Sequence, residues 1–218
     1  MAVSGEDLRA LKIGRECIQE MRSLLPVESE GAAPCSLVDP LLTICLQHCD
    51  SILLLLEPGE NVASAEALLR PMVESAFRLL WLMQKKERAD QIKAGRLTFP
   101  SFSRLVRNVA GAAKRKPADL QTVTTNLHDL AHAGMLQLRN HFKEAQKNTN
   151  PIHVKLGHRL PAILAMQMAM IACGSFCVIT GKQQEHEQIA QVYLVHCCGA
   201  MVEVLNAFTP VKSMPPTN

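Results

Sequence analysis

The sequence contains few aromatic residues. Only 4% of its 218 residues are Phe, Trp or Tyr, with one tryptophan and one tyrosine. Stacking of exposed bases on aromatic rings, as in single-strand nucleic-acid binding, therefore has little support. β-Branched and aromatic residues are also too scattered to build a sheet, whereas Leu, Ala, Met, Glu, Gln and Lys, which favour helices, are abundant. Together these observations predict an all-α protein.

Charge, disulfide signatures and targeting signals are also sparse. The net charge is only +3, which requires neither a nucleic-acid nor a membrane partner, and we interpret the basic run at 114–116 as a solvated linker. Eight cysteines are present, but none has the CxxC spacing, and most lie in apolar helical runs where Cys acts as a small hydrophobic residue. Residues 1–9 are polar and acidic, unlike the start of a secretory signal. We expect a cytoplasmic protein with reduced thiols.

Apolar periodicity, proline and glycine divide the chain into about six to eight helices. We expect a single-domain bundle over residues 1–218, with an N-terminal helix and loop at 1–35, a bundle core at 36–208 and a flexible tail at 209–218. The predicted helices cover about 4–25, 39–57, 63–83, 89–94, 102–113, 118–146, 160–179 and 183–208.

The most apolar stretch, residues 160–179, is long enough to suggest a membrane span, for which about 20 apolar residues suffice. Gln167, Gly174 and Ser175 interrupt it, and no belt of aromatic residues flanks it. The other helices are amphipathic and need a common core. We therefore interpret the stretch as the central helix of a water-soluble bundle and expect no membrane partner.

The helix predicted over 63–83 carries three charged residues in a mostly apolar sequence. Arg70, Glu74 and Arg78 are spaced four apart and lie within about 80° of one another around the helix, on the arc that also holds Phe77 and Trp81. Such a helix should be buried on most sides, and buried ions are costly unless they are paired. We therefore expect a buried polar cluster, in which loss of Glu74 would cost about 3–5 kcal/mol.

A second polar stripe lies on the helix predicted over 118–146. His128, His132 and Arg139 share one arc of this helix. Packing this arc against the helix predicted over 63–83 would give the charged residues of that helix polar and charged partners. Gln47 and His48, on the second helix, could complete the cluster. The cluster is either a structural network that fixes helix register or a ligand pocket in the bundle core.

The spacing of the same histidines also suggests a metal site. His128 and His132 are four apart, which lets two imidazoles reach one metal, and Glu74 or His196 could supply a third ligand. No HExxH pattern accompanies them, and two histidines alone do not fix a metal geometry. We interpret them as hydrogen-bonded core residues and expect neither a metal nor a cofactor.

Three sequence runs together resemble a known family. ALLRPMVESAFRLLWL, preceded by LQHCDSILLLLE and followed by LHDLAHAGMLQL, resembles uncharacterised bacterial helical proteins with an RPxxE…RxxWL helix and a later HxG…Q pattern. The resemblance covers about residues 43–139 and carries no assigned activity. Two positions depart from the family: Cys49, where histidine is common, and Ala133, where glycine is common. The resemblance marks Gln47, His48, Arg70, Glu74, Arg78, Trp81, His132, Gly134 and Gln137.

The helical layout also looks a little like HEPN domains, which include ribonucleases of bacterial defence and toxin systems. Those enzymes use an Arg, often followed by Asn, and a His four to six residues further on. Arg139-Asn140 and Arg107-Asn108 match the first half, but no histidine completes either motif, and His141 lies too close to Arg139. The missing histidine argues against a nuclease that works by this motif. The resemblance leaves open a relative that binds a ligand without cleaving RNA.

Three hypotheses for function follow. The leading one is a cytoplasmic bacterial binding or regulatory module that takes a small anionic or nucleotide-like ligand. The second is an enzyme, either a HEPN-like ribonuclease or another hydrolase, with His132 as general acid or base. The third is a purely structural oligomer such as a homodimer. The sequence alone does not decide whether the protein is an enzyme or whether it binds nucleic acid. The predicted ligand-binding residues are Gln47, His48, Arg70, Glu74, Arg78, His128, His132, Gln137 and Arg139.

Overall fold

A computed structural model describes residues 5–25, 37–57, 61–85, 87–112 and 151–208; its side chains are described except at 5–7, 10, 110, 112, 151–160 and 197–208. Within this part of the chain the backbone forms seven helices and no strand, which confirms the all-α prediction. The helices are α1 (Gly5–Ser23), α2 (Val38–Leu56), α3 (Val62–Met83), α4 (Glu87–Lys93), α5 (Phe102–Ala112), α6 (Pro151–Thr180) and α7 (Gln183–Phe208). The predicted helix over 118–146 lies outside the described residues.

Helix α6 is the central element of the bundle. It packs against α1, α2, α3 and α7, while α2 and α3 also pack against each other and α5 packs against α3. Small residues on α6 allow its neighbours to approach closely, because the distance between helix axes depends on the side chains at the contact. The buried alanines of α6 are Ala162, Ala165, Ala169 and Ala172.

Two helices are long and apolar enough to cross a membrane by length and composition alone. They are α2 and the Pro161–Thr180 part of α6, and about half of each is buried inside the protein. The core helices of a bundle meet the same criterion. The contacts of α6 with four other helices agree with its predicted central position.

Two glycines end helices by the same hydrogen-bonded turn. Gly95 (φ 66°) follows α4, and the Arg96 N–H donates to the Gln91 carbonyl at 2.8 Å. Gly181 (φ 78°) follows α6, and the Lys182 N–H donates to the Cys177 carbonyl at 2.8 Å. Both are Schellman motifs, in which the residue after the helix adopts a left-handed conformation that favours glycine. The turn at Gly95 directs residues 97–101 back along α3.

Sequence periodicity predicted most of the helix ends to within a few residues, with one clear exception. Helix α6 begins at Pro151, not near residue 160 as predicted. Proline is well tolerated in the first turn of a helix, so the polar residues before 160 do not prevent helix formation there. Pro161 then lies inside the helix.

The five described cysteines form no disulfide and are buried. The Cys45 thiol lies 3.7 Å from the Met72 carbonyl oxygen of α3, and the Cys49 thiol lies 3.3 Å from the Ala165 carbonyl oxygen of α6. Burial raises the pKa of Cys177 to about 11. The Cys177 thiol is therefore protonated at neutral pH, and all five thiols pack as small core side chains, as predicted from their apolar surroundings.

Candidate functional site

The charged residues of α3 lie on one side of the helix, opposite its core-facing side. Met72, Ala76 and Leu79 are fully buried, as the periodicity predicted. The other side carries Arg70, Glu74 and Arg78, which we call the arginine face. Its side chains are half-buried: those of Glu74 and Arg78 are 22% and 32% exposed. The charges are therefore partly buried and not fully buried as predicted.

An ion pair joins Glu74 and Arg78 of the arginine face. The Arg78 guanidinium donates to the Glu74 carboxylate, with Nη2 and Oε1 2.5 Å apart. Pairs one turn apart on a solvent-accessible helix stabilise by only about 0.3–0.5 kcal/mol. The expected cost of losing Glu74 is therefore well below the value of about 3–5 kcal/mol that applies to a fully buried pair.

Three arginines each lie over an aromatic ring. Arg70 lies over Phe102 at 5.5 Å, Arg78 over Phe99 at 5.0 Å and Arg88 over Trp81 at 4.1 Å, measured from the guanidinium carbon to the ring centroid. The Trp81 and Phe99 centroids are 5.9 Å apart, which links the last two pairs. Such contacts contribute about 0.5–1 kcal/mol at exposed sites and more when water is excluded. Residues 97–102 are thereby held against α3.

One donor on the arginine face has no acceptor. The Arg78 Nε–H is buried and makes no hydrogen bond within the described part of the chain. Its ring contact with Phe99 and its bond to Glu74 fix the guanidinium in place. Unsatisfied buried donors are uncommon in folded proteins and often mark functional positions.

A cavity lies where α3 ends and α4 begins, and we call it the α3–α4 cavity. Its volume is about 300 Å³, at the lower end of the range of small-molecule sites, about 300–1,000 Å³. The lining offers apolar surface, two cations, one carboxylate and one amide. The lining residues are Trp81, Lys85, Glu87, Arg88, Gln91 and Leu97.

Arg88 fixes one wall of the α3–α4 cavity. Its Nη1 donates to the Trp81 carbonyl oxygen, one of the carbonyls at the end of α3, and lies 3.4 Å from the Gln84 side-chain oxygen. Burial lowers the pKa of Arg88, and the nearby Glu87 carboxylate opposes this, so the guanidinium stays charged. Its Nε and Nη2 make no hydrogen bond with any described residue, which leaves these donors for a ligand.

Among the described residues, no hydrogen bond joins α2's predicted site residues to the Glu74–Arg78 pair. Gln47 is exposed and His48 is half-buried, and no described hydrogen bond joins either to Glu74 or Arg78. Burial lowers the pKa of His48. These two residues therefore remain separate candidates on the surface of α2.

Four further predicted residues, and the predicted second polar stripe, lie outside the described part of the chain. They are His128, His132, Gln137 and Arg139. His196, considered as a metal ligand, instead contacts α1: its Nε2 lies 2.9 Å from the Glu20 carboxylate. No group of three or more His, Cys, Asp or Glu side chains arranged to hold a metal occurs among the residues that the structure describes.

Sequence reasoning missed Arg88, Phe99 and Phe102. Arg88 falls between the helices predicted over 63–83 and 89–94, although an arginine just after a helix is a known way to bind its last carbonyls. Phe99 and Phe102 are three residues apart, but nothing in the local pattern indicated that they would lie on α3. The sequence feature that could have indicated this placement is Gly95, which ends α4 and reverses the direction of the chain.

Residues 36–99 match the profile of a family of unknown function (DUF5677). The match covers less than a third of the chain but includes α2, α3, α4 and all six lining residues of the α3–α4 cavity. No curated protein and no solved structure matches the chain. The similarity supports the expected relation to an uncharacterised protein family.

Proposed function

We propose that the protein is a cytoplasmic bacterial binding or regulatory module, and that the α3–α4 cavity takes a small anionic ligand of nucleotide type. One observation carries this proposal: the cavity combines two cations, Lys85 and Arg88, with the ring of Trp81 in a volume of about 300 Å³. The arginine face continues from this cavity along α3.

The charge of the lining favours an anion. Lys85 is exposed and makes no described ion pair, and Arg88 has unused donors on a guanidinium that its bond to the Trp81 carbonyl holds in place. Hydrogen bonds between a cation and an anionic oxygen are about twice as strong as neutral ones. Glu87 is the single carboxylate in the lining, so cations outnumber it.

The remaining lining residues suit a ligand that carries a ring as well as a charge. Trp81 and Leu97 supply apolar surface, and the Gln91 amide can both donate and accept hydrogen bonds to a polar ring edge. Glu87 can accept from a hydroxyl or amino group. A mononucleotide offers all of these groups: an anionic phosphate, sugar hydroxyls and a ring with a polar edge.

The location proposed for the protein is supported by its thiols. Five described cysteines are buried and form no disulfide, as is usual where glutathione and thioredoxin keep thiols reduced. The bacterial origin is supported by the resemblance of the sequence to bacterial helical proteins.

Substituting Lys85 by glutamine should weaken ligand binding about ten-fold, because a hydrogen bond to a charged group contributes about 1.5–3 kcal/mol and 1.4 kcal/mol is a factor of ten. The measurement is isothermal titration with each common ribonucleoside 5′-monophosphate. The matched control is Lys12→Gln, which removes an exposed lysine of α1 that does not line the cavity and should leave the dissociation constant unchanged. Absence of binding by every monophosphate at millimolar concentration, or equal binding by both variants, would overturn the proposal.

A further inference from the structure

Positive charge is concentrated between residues 85 and 107. This stretch has seven Lys or Arg residues and two Asp or Glu residues, a net charge of +5, whereas the whole chain carries +3. The rest of the chain therefore has a net charge of −2. The molecule is electrostatically uneven, and the excess positive charge belongs to the residues that follow α3, to α4 and α5, and to the segment between these two helices.

Two arginines of α1 pair with carboxylates at or just after α2. Arg15 pairs with Glu57, the residue after α2, at 2.8 Å, and Arg22 pairs with Asp50 of α2 at 2.6 Å. The cations of α4, of α5 and of the segment between these helices differ. Four of them are exposed and make no ion pair with any described residue, and we call this group the α4–α5 basic surface. Its members are Lys93, Arg96, Arg104 and Arg107.

The fold holds these four cations outward. Helix α5 buries Phe102, Leu105 and Val106, while Arg104 and Arg107, three residues apart, are neighbours on its exposed side. The sequence of α5 contains no acidic residue. Lys93 and Arg96 flank the glycine turn that ends α4, and the short segment from 97 to 101 connects that turn to α5.

We propose that the α4–α5 basic surface binds the sugar–phosphate backbone of duplex nucleic acid. Unpaired exposed cations release the counterions that phosphates hold, and this release drives binding without sequence readout. The inference is independent of the α3–α4 cavity, because none of its four cations lines that cavity.

Two other polyanionic partners fit less well. An amphipathic helix binds a membrane surface through its apolar side, but the apolar side of α5 is packed against α3. The exposed large hydrophobic residues of the described chain lie on other helices. Single strands bind through stacking on successive exposed aromatic rings, but Phe102 is buried, Phe99 lies beneath Arg78, and Trp81 belongs to the separate α3–α4 cavity.

The test is fluorescence anisotropy of labelled duplex DNA and duplex RNA of one sequence, measured over a series of salt concentrations. Each phosphate contact contributes about −0.9 to the slope of log K against log salt for B-form DNA. Arg104→Gln with Arg107→Gln should reduce the magnitude of the DNA slope by about 1.8 and weaken binding. The control, Lys12→Gln with Arg15→Gln on α1, removes the same net charge and should leave the slope unchanged.

Salt-dependent binding of either duplex that depends on Arg104 and Arg107 supports the proposal. A preference between the two duplexes then identifies which backbone geometry the surface fits. Three results would overturn it: neither duplex binds at low salt, the α1 control reduces the slope equally, or anionic phosphatidylglycerol vesicles bind while both duplexes do not.

Discussion

Replacing Trp81 by alanine should lower the free energy of unfolding by about 3–5 kcal/mol, the range for truncating a buried Trp or Phe. The indole is only 5% exposed, packs 5.9 Å from Phe99 and lies beneath the Arg88 guanidinium at 4.1 Å. The substitution would therefore leave a void at the end of α3 and remove both contacts. Urea unfolding followed by circular dichroism measures the loss.

Trp81→Phe is the matched control. A phenyl ring keeps an aromatic surface for Arg88 and fills much of the volume, so we expect less than half the loss seen with alanine. A loss below about 1 kcal/mol for the alanine variant, the size typical of unselected point mutations, would show that Trp81 does not anchor this end of the bundle.

Leu53→Ala is the second substitution with a large expected effect, about 2–5 kcal/mol. Leu53 is fully buried and packs where α1 and α2 meet: its methyl carbons lie 3.5 Å from the position that a Cβ on Gly14 would take. The neighbouring residue provides the control. Leu54 is 50% exposed, so Leu54→Ala should change stability by no more than about 0.5 kcal/mol.

Paired urea titrations of the two leucine variants distinguish core packing from general apolarity of α2. We expect the transition midpoint to fall strongly for Leu53→Ala and hardly at all for Leu54→Ala. Similar losses in both variants would contradict the burial pattern of α2 and would favour an environment, such as lipid or a second protein, that covers Leu54.

The helices were predictable because the information they need is local. The period of apolar residues placed Met72, Ala76 and Leu79 on one side of α3 and the charged residues on the other. Gly95 and Gly181 stopped their helices because few other residues adopt the left-handed conformation that the turn requires. The extent of α5 was also predicted closely, since its amphipathic pattern is regular.

The candidate site was less predictable because it depends on contacts between distant elements. Periodicity identifies which residues share the arginine face, but not what lies on that face. Phe99 and Phe102 reach it only because the chain reverses at Gly95. Likewise, the α3–α4 cavity forms from the angle between two helices and the return of Leu97, none of which a local pattern encodes.

The most direct measurement of ligand binding at the α3–α4 cavity is the intrinsic fluorescence of Trp81, the single tryptophan of the chain and a residue of the cavity wall. We expect titration with a ribonucleoside 5′-monophosphate to change its emission saturably in the wild type, and the midpoint to rise about ten-fold in Lys85→Gln. Emission that stays constant while calorimetry reports saturation, or a midpoint equal in both proteins, would show that the ligand binds elsewhere.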